Sequence, residues 1–264
     1  MKPVTITTLR ELKQAGQKIT CLTAYDYSFA SLLDRAGLDA IMVGDSLGMT
    51  MQGHASTLPV TIDDMAYHCA CVARGVTRAL IIGDMPFGSY QVDPEQAFEN
   101  AAILMQSGAQ VVKLEGGAPM AETVRFLVER GVPVCAHLGL TPQSVHQLGG
   151  YRVQGREADA AQRLRDDARL LQAAGASLLV LEAVPAALAK MISAELAIPT
   201  IGIGAGPDTD GQVLVLQDML GYYPRPSPKF SRNFMQGAES LEAAVMAYVE
   251  AVRGKTFPGP EHSY

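Results

Sequence analysis

One short pattern recurs along the chain and constrains its fold more than any other feature. An amphipathic helix ends at a glycine, a near-continuous apolar run follows, and a polar residue closes the run. Gly37 leads through Leu38-Asp39-Ala40-Ile41-Met42-Val43 to Asp45, Gly75 through Ala79-Leu80-Ile81-Ile82 to Asp84, and Gly108 through Gln110-Val111-Val112 to Lys113 and Glu115. Downstream, Gly131 leads through Val132-Pro133-Val134-Cys135 to His137, and Gly175 through Leu178-Leu179-Val180-Leu181 to Glu182. The glycine suits the left-handed position just past a helix end, and the apolar run suits a parallel strand buried on both faces. Helix starts are legible too: Asp93-Pro94-Glu95 offers an N-cap and a proline at the first helical position, Thr61-Ile62-Asp63-Asp64 a capping arrangement, and Pro119 and Pro185 open two more.

Strands alternating with helices require a parallel sheet. The predicted strands are Ile19 to Thr23, Asp39 to Val43, Ala79 to Gly83, Gln110 to Glu115, Val132 to Ala136, Leu178 to Glu182, Pro199 to Gly202 and Val213 to Gln217. Eight strands favour a closed (β/α)8 TIM barrel over an open doubly wound sheet, whose GxGxxG turn is missing after the first strand. Such barrels commonly take about 250 residues as one unit, so residues 1–264 are expected to form a single domain. Outside the repeat, Thr5 to Ala15 predicts a short helix across the barrel bottom. Ala238 to Val252 predicts a final amphipathic helix, available to a neighbouring subunit, before a tail rich in proline and glycine.

Charge and hydropathy narrow the function. The formal charge of −6 and the lack of any Lys/Arg block argue against nucleic-acid binding. Apolar runs such as Leu178 to Leu181 fall far short of the ~20 residues needed to span a bilayer. Met1 to Arg10 carries no secretion leader, so a cytoplasmic location is expected. Cys21, Cys69, Cys71 and Cys135 lack CxxC spacing and read as reduced, packed thiols.

In a barrel of this kind catalytic groups come from the C-terminal strand ends. The closing residues Asp45, Asp84, Lys113, Glu115, His137 and Glu182 would therefore face one pocket. Carboxylates crowded into a cleft repel one another unless a cation is present, and oxygen donors without paired histidines or thiolates suit Mg²⁺, with Mn²⁺ or Co²⁺ as substitutes. Plainer roles stand beside each residue. Asp45 and Asp84 could cap the following helices, Lys113 and Glu115 could form a structural ion pair, and His137 could be a hydrogen-bonded core residue. Glu182 closes the most apolar strand, where burial would favour its taking a proton from carbon. Gly202-Ile203-Gly204-Ala205-Gly206 reads either as a phosphate loop or as a tight turn.

At these positions the sequence resembles the ketopantoate hydroxymethyltransferase (3-methyl-2-oxobutanoate hydroxymethyltransferase) family. The resemblance runs through Val43-Gly44-Asp45-Ser46-Leu47-Gly48-Met49-Thr50, Gly83-Asp84-Met85-Pro86-Phe87, Val112-Lys113-Leu114-Glu115-Gly116-Gly117, His137-Leu138-Gly139-Leu140-Thr141-Pro142-Gln143 and Leu181-Glu182. It continues through Ile201 to Gly206 and Pro228-Lys229-Phe230, and departs at Gly221 to Ser227. The resemblance implies a barrel of the phosphoenolpyruvate/pyruvate type, and a hydroxymethyl transfer from 5,10-methylenetetrahydrofolate to 3-methyl-2-oxobutanoate giving 2-dehydropantoate for pantothenate and coenzyme A. It implies Asp45, Asp84 and Glu115 as Mg²⁺ ligands, Ser46, Lys113 and His137 as substrate contacts together with Asp45 and Asp84, Glu182 as the base, and a homo-oligomer, a decamer. Two other classes stay open: a metal-dependent enolate-forming lyase or mutase on the same barrel, and a non-catalytic binding or assembly module.

Overall fold

The computed structural model describes residues 2–264. Eight strands, β1 (Ile19–Thr23), β2 (Ala40–Val43), β3 (Leu80–Asp84), β4 (Val111–Glu115), β5 (Val134–Gly139), β6 (Leu178–Glu182), β7 (Thr200–Ile203) and β8 (Gly211–Leu214), close into one barrel in sequence order. Every neighbouring pair is parallel, including β1 with β8. Helices Tyr27–Arg35, Ile62–Gly75, Pro94–Gln106, Ala121–Glu129, Ala158–Ala173 and Ala186–Glu195 follow successive strands and cover the barrel. The caps anticipated at Thr61 and Asp93 are present: each side chain accepts a backbone N–H of its helix's first turn.

The strands form where the apolar runs lie, and their residues are almost all buried because both faces meet side chains. Two strands differ from expectation by more than one residue at an end; β2, β3, β4 and β7 differ by one. β5 runs on to Gly139, which puts His137 on the strand itself. β8 begins at Gly211 and ends at Leu214, because Leu216–Leu220 turns into a short helix. A side chain at Gly211 would stand 2.6 Å from the Ile19 carbonyl, so the residue that dilutes the apolar run is the one that lets β8 lie against β1.

Both chain ends serve the barrel. In the helix Ile6–Gln14, Leu9 is fully buried and Lys13 Nζ lies 2.6 Å from Asp210 Oδ2, beside the start of β8. The helix Leu241–Arg253 buries Ala244, Val245, Tyr248, Val249 and Val252, and Tyr248 Oη donates to the carbonyls of Cys21 and Gln212. Its buried face thus packs on β1 and β8 of its own chain, while Leu241 and Met246 on the same helix are exposed. The cysteines are free, with Cys21, Cys69 and Cys135 buried. Among the described residues no helix is long and apolar enough to cross a membrane.

Gly139 decides how closely β5 and β6 end together. Its φ is 95°, and a Cβ there would sit 2.2 Å from the Glu182 carbonyl oxygen. Gly139→Ala should therefore strain the backbone and force these two strand ends apart, lowering the urea-unfolding free energy by about 2 kcal/mol or more. An unchanged unfolding midpoint would show that the ends separate freely.

Candidate active site

Register explains which side chains meet. Asp84 pairs with Lys113, Glu115 with His137, and Gly139 with Glu182, so one turn around the rim sets these groups side by side. Asp45 comes from the turn after β2, where Gly44 has no side chain to collide with Ser46 Oγ. All of them, with Ser46, line one cavity of about 940 Å³ at the C-terminal mouth of the barrel. Asp45, Asp84, Glu115 and His137 are buried, and Lys113 is only 4% exposed.

The contacts form a chain of charge. Lys113 Nζ lies 2.7 Å from Asp84 Oδ1, 3.9 Å from Glu115 Oε1 and 3.4 Å from His137 Nδ1. The imidazole stands between two carboxylates, with Nδ1 3.3 Å from Glu115 Oε1 and Nε2 3.3 Å from Glu182 Oε2. The Asp45 backbone N–H donates to Asp84 Oδ2 at 3.2 Å, which ties the Asp84 carboxylate to the turn that carries Asp45. Ser46 Oγ shares a 2.8 Å hydrogen bond with Tyr25 Oη. Neither Asp45 nor Asp84 caps a helix; the short helix Leu47–Thr50 receives no side-chain cap at all.

Titration follows from these neighbours. Burial, then Asp84 and Glu115, push the Asp45 carboxyl well up. Burial also raises Asp84, with Lys113 opposing. Burial acts against the Lys113 ammonium, yet Asp84, Glu115 and Asp45 together hold its pKa above the ordinary lysine value. His137 feels the same burial and Lys113's repulsion, but Glu115 and Glu182 prevail and hold it near 9, so the ring is a cation at neutral pH. Glu115 is lowered, the contacts from His137 and Lys113 outweighing its burial. The environment of Glu182 is therefore less apolar than its strand: its side chain is 15% exposed and faces an imidazolium.

Four carboxyl groups thus stand against two basic groups, a deficit that a divalent cation would balance. Asp84 Oδ1 and Glu115 Oε1 are sealed from solvent with ion-pair contacts but no directed hydrogen bond. Among the described residues no three His, Cys, Asp or Glu side chains close into a ready-made metal cage. Asp45 and Asp84 are adjacent, whereas Glu115 is engaged by His137 and the Gln143 backbone. Two carboxylates with room for water and substrate is the donor set Mg²⁺ commonly takes, so the residues fit a hard cation.

The sequence model of the family described as ketopantoate hydroxymethyltransferase matches residues 3–260. A 3-methyl-2-oxobutanoate hydroxymethyltransferase of Methylobacillus flagellatus is 65% identical over 97% of this chain and 98% of its own. This chain belongs to the ketopantoate hydroxymethyltransferase family. It is accordingly an enzyme, a hydroxymethyltransferase. Solved structures share the barrel at low identity. A 2,3-dimethylmalate lyase of the PEP mutase/isocitrate lyase superfamily aligns with TM-score 0.59 and 18% identity over 80% of each chain. A phosphonopyruvate hydrolase in complex with oxalate and Mg²⁺ aligns with TM-score 0.61 and 12% identity, also over 80% of each.

Some parts of the site carried no separate sequence signal. Gln143, 4% exposed, donates from Nε2 to Asp45 Oδ2 and to the Met85 carbonyl, both at 2.9 Å, and from its backbone N–H to Glu115 Oε2 at 3.1 Å. Its Oε1 accepts from Tyr90 Oη at 2.6 Å, and Tyr90 Oη accepts from the Glu115 N–H. Only its place in the His137-to-Gln143 block pointed to it. The Gly202-to-Gly206 loop is a packed turn and not an open anion cradle, since Phe230 and Tyr264 cover Gly204 and Ala186 covers Gly206. Gln143→Leu should strand the Asp45 oxygen and the Tyr90 hydroxyl, costing about 10- to 100-fold in kcat/KM with the fold intact by circular dichroism. Activity within twofold of wild type would remove Gln143 from the support of the site.

Proposed function

We propose that this enzyme transfers a hydroxymethyl group from 5,10-methylenetetrahydrofolate to 3-methyl-2-oxobutanoate, giving 2-dehydropantoate for pantothenate and coenzyme A synthesis. The observation that carries the reading is the single buried rim on which Asp45, Ser46, Asp84, Lys113, Glu115, His137 and Glu182 meet. The relative from Methylobacillus flagellatus bears that substrate's name, and the phosphonopyruvate hydrolase holds Mg²⁺ with oxalate, a small dianion shaped like a 2-oxo acid's chelating end.

In this proposal Asp45 and Asp84 would hold Mg²⁺, and Glu115 would reach it directly or through water. When bound, the metal would draw electron density from the 2-oxo group and so stabilise the enolate more than the ketone. Lys113 offsets the anionic charge of the substrate, and Ser46, backed by Tyr25, supplies a hydroxyl to its oxygens. His137 would donate to the substrate from Nε2, which lies 3.3 Å from Glu182 Oε2 without a directed hydrogen bond. Glu182 takes the C3 proton; the electron pair of that C–H bond passes into the enolate, whose carbon bonds to the methylene carbon as both of its C–N bonds to folate break, water supplying the hydroxyl oxygen and the displaced protons passing to the two nitrogens of the departing tetrahydrofolate. A cytoplasmic location, substitution of Mn²⁺ or Co²⁺ and action as a single 1–264 domain belong to the same proposal, as does a decameric assembly, which rests on the resemblance alone.

With Mg²⁺ but no folate, the enzyme should exchange the C3 hydrogen of 3-methyl-2-oxobutanoate in deuterated water, followed by proton NMR. Glu182→Gln should abolish that exchange, and undiminished exchange in the variant would take the base role from Glu182. Asp45→Asn and Asp84→Asn should each weaken Mg²⁺ about 10-fold or more, because each removes a charged ligand. Unchanged Mg²⁺ dependence in both would defeat the ligand assignment.

A further inference from the structure

The cavity is far larger than a five-carbon oxo acid requires, lying at the upper end of the range of about 300–1,000 Å³ for ligand pockets. The charged groups described above occupy one part of its wall. Asp218 and Thr57 lie elsewhere on that wall, and nothing in the reaction uses them.

Asp218 belongs to the short helix Leu216–Leu220 after β8 and is 7% exposed. An acid in a first helical turn often bonds to the helix's own N–H groups, but this one makes no such bond. Its Oδ1 is sealed from solvent without a hydrogen-bond partner, and so is Thr57 Oγ1 in a residue 2% exposed. Burial without a compensating partner holds the Asp218 carboxyl near 6. An unpaired buried carboxyl is costly to keep, and a ligand presenting adjacent N–H donors would relieve it.

The remaining lining has the complementary chemistry. Tyr151 Oη approaches Met49 Sδ at 3.6 Å and Tyr223 Oη approaches the Met49 carbonyl at 3.4 Å, so two aromatic rings are anchored on one residue at the cavity wall. Planar heterocycles stack on such rings. Arg152, Arg156 and Arg225 also line the cavity. The arginines in ion pairs among the described residues are Arg78, Arg165, Arg169 and Arg253, so Arg152, Arg156 and Arg225 pair with no carboxylate; Arg225 Nη2 donates to the His54 carbonyl at 2.9 Å and keeps its remaining N–H groups for an anionic group.

We infer that this part of the cavity wall is the subsite for the folate, with Asp218 receiving the paired N–H donors of the pteridine's amino-amide edge and the arginines that pair with no carboxylate holding the acidic tail. The inference rests on the reading that the one-carbon donor is a folate. It assigns the donor's two chemically distinct ends to different residues, which makes each end separately testable.

The test is calorimetric titration of the full chain with two probes: 6-methyltetrahydropterin, which has the ring but no tail, and tetrahydrofolate, which has both. Asp218→Asn keeps the shape but turns one acceptor into a donor facing the ligand's donors. It should weaken both probes about 10- to 100-fold, the worth of a charge-assisted hydrogen bond. Because the substitution removes an uncompensated buried carboxyl, the thermal midpoint should hold or rise. Arg225→Ala, at an exposed site, should weaken tetrahydrofolate and leave the pterin unchanged. Equal pterin affinity in wild type and Asp218→Asn, or no pterin binding by wild type, would overturn the inference. Because the titration needs no turnover, a wild-type chain that binds the pterin through Asp218 yet transfers no hydroxymethyl group would sink the proposed reaction and leave this subsite standing.

Discussion

The Lys113 ammonium is the interaction on which the site depends. It is buried among Asp84, Glu115 and Asp45, where any one of those carboxylates alone would be expensive to ionise. Removing the ammonium would leave at least two uncompensated acids on adjacent strands, and they would respond by taking up protons. His137 plays the matching part between Glu115 and Glu182, so charge alternates around the rim from β3 to β6. Burial and neighbouring acids raise Asp45 and Asp84 toward their neutral forms; with all four carboxyls ionised the acids would outnumber the bases by two, and that is the physical reason the site suits a divalent cation.

Behind the charged layer lies a neutral one that fixes direction. Gln143 reaches Asp45, Met85 and, through its backbone, Glu115, while Tyr90 ties Gln143 to β4 and Tyr25 steadies Ser46. Carboxylates held in this way keep their lone pairs aimed at the same place whether or not a ligand is present, which lowers the cost of binding. The rest of the cavity wall differs in kind: aromatic rings, arginines that pair with no carboxylate and two unpartnered polar groups make it suited to a larger ligand with a flat end and an acidic end. A small acid held deep and a long donor entering from the mouth would bring the reacting carbons together without competing for the same contacts.

Much of this was legible in the chain because each signal was local. Ile19 to Thr23 and Leu178 to Glu182 form strands with the predicted bounds, since their runs are uninterrupted and both barrel faces bury them. Asp84, Glu115 and Glu182 stand out because a polar residue ending an apolar strand has one direction to go. β8 was misplaced because Gly211 and Gln212 owe their strand conformation to contacts with β1, which local hydropathy cannot register. The tail was equally opaque: Tyr264 returns to cover Gly204 at the mouth, and its carbonyl accepts the Ala186 N–H.

By itself, then, the sequence determined the alternation of helices and strands, the parallel barrel and the polar residues at its rim, because periodicity and strand ends are properties of neighbours along the chain. Tertiary structure alone decided that His137 would be a cation, that Glu115 would be engaged by His137 and Gln143, and that Asp218 would be left without a partner. Those outcomes depend on distances between groups from different strands and loops, and electrostatic energy is set by distance and burial in space, not by spacing along the backbone.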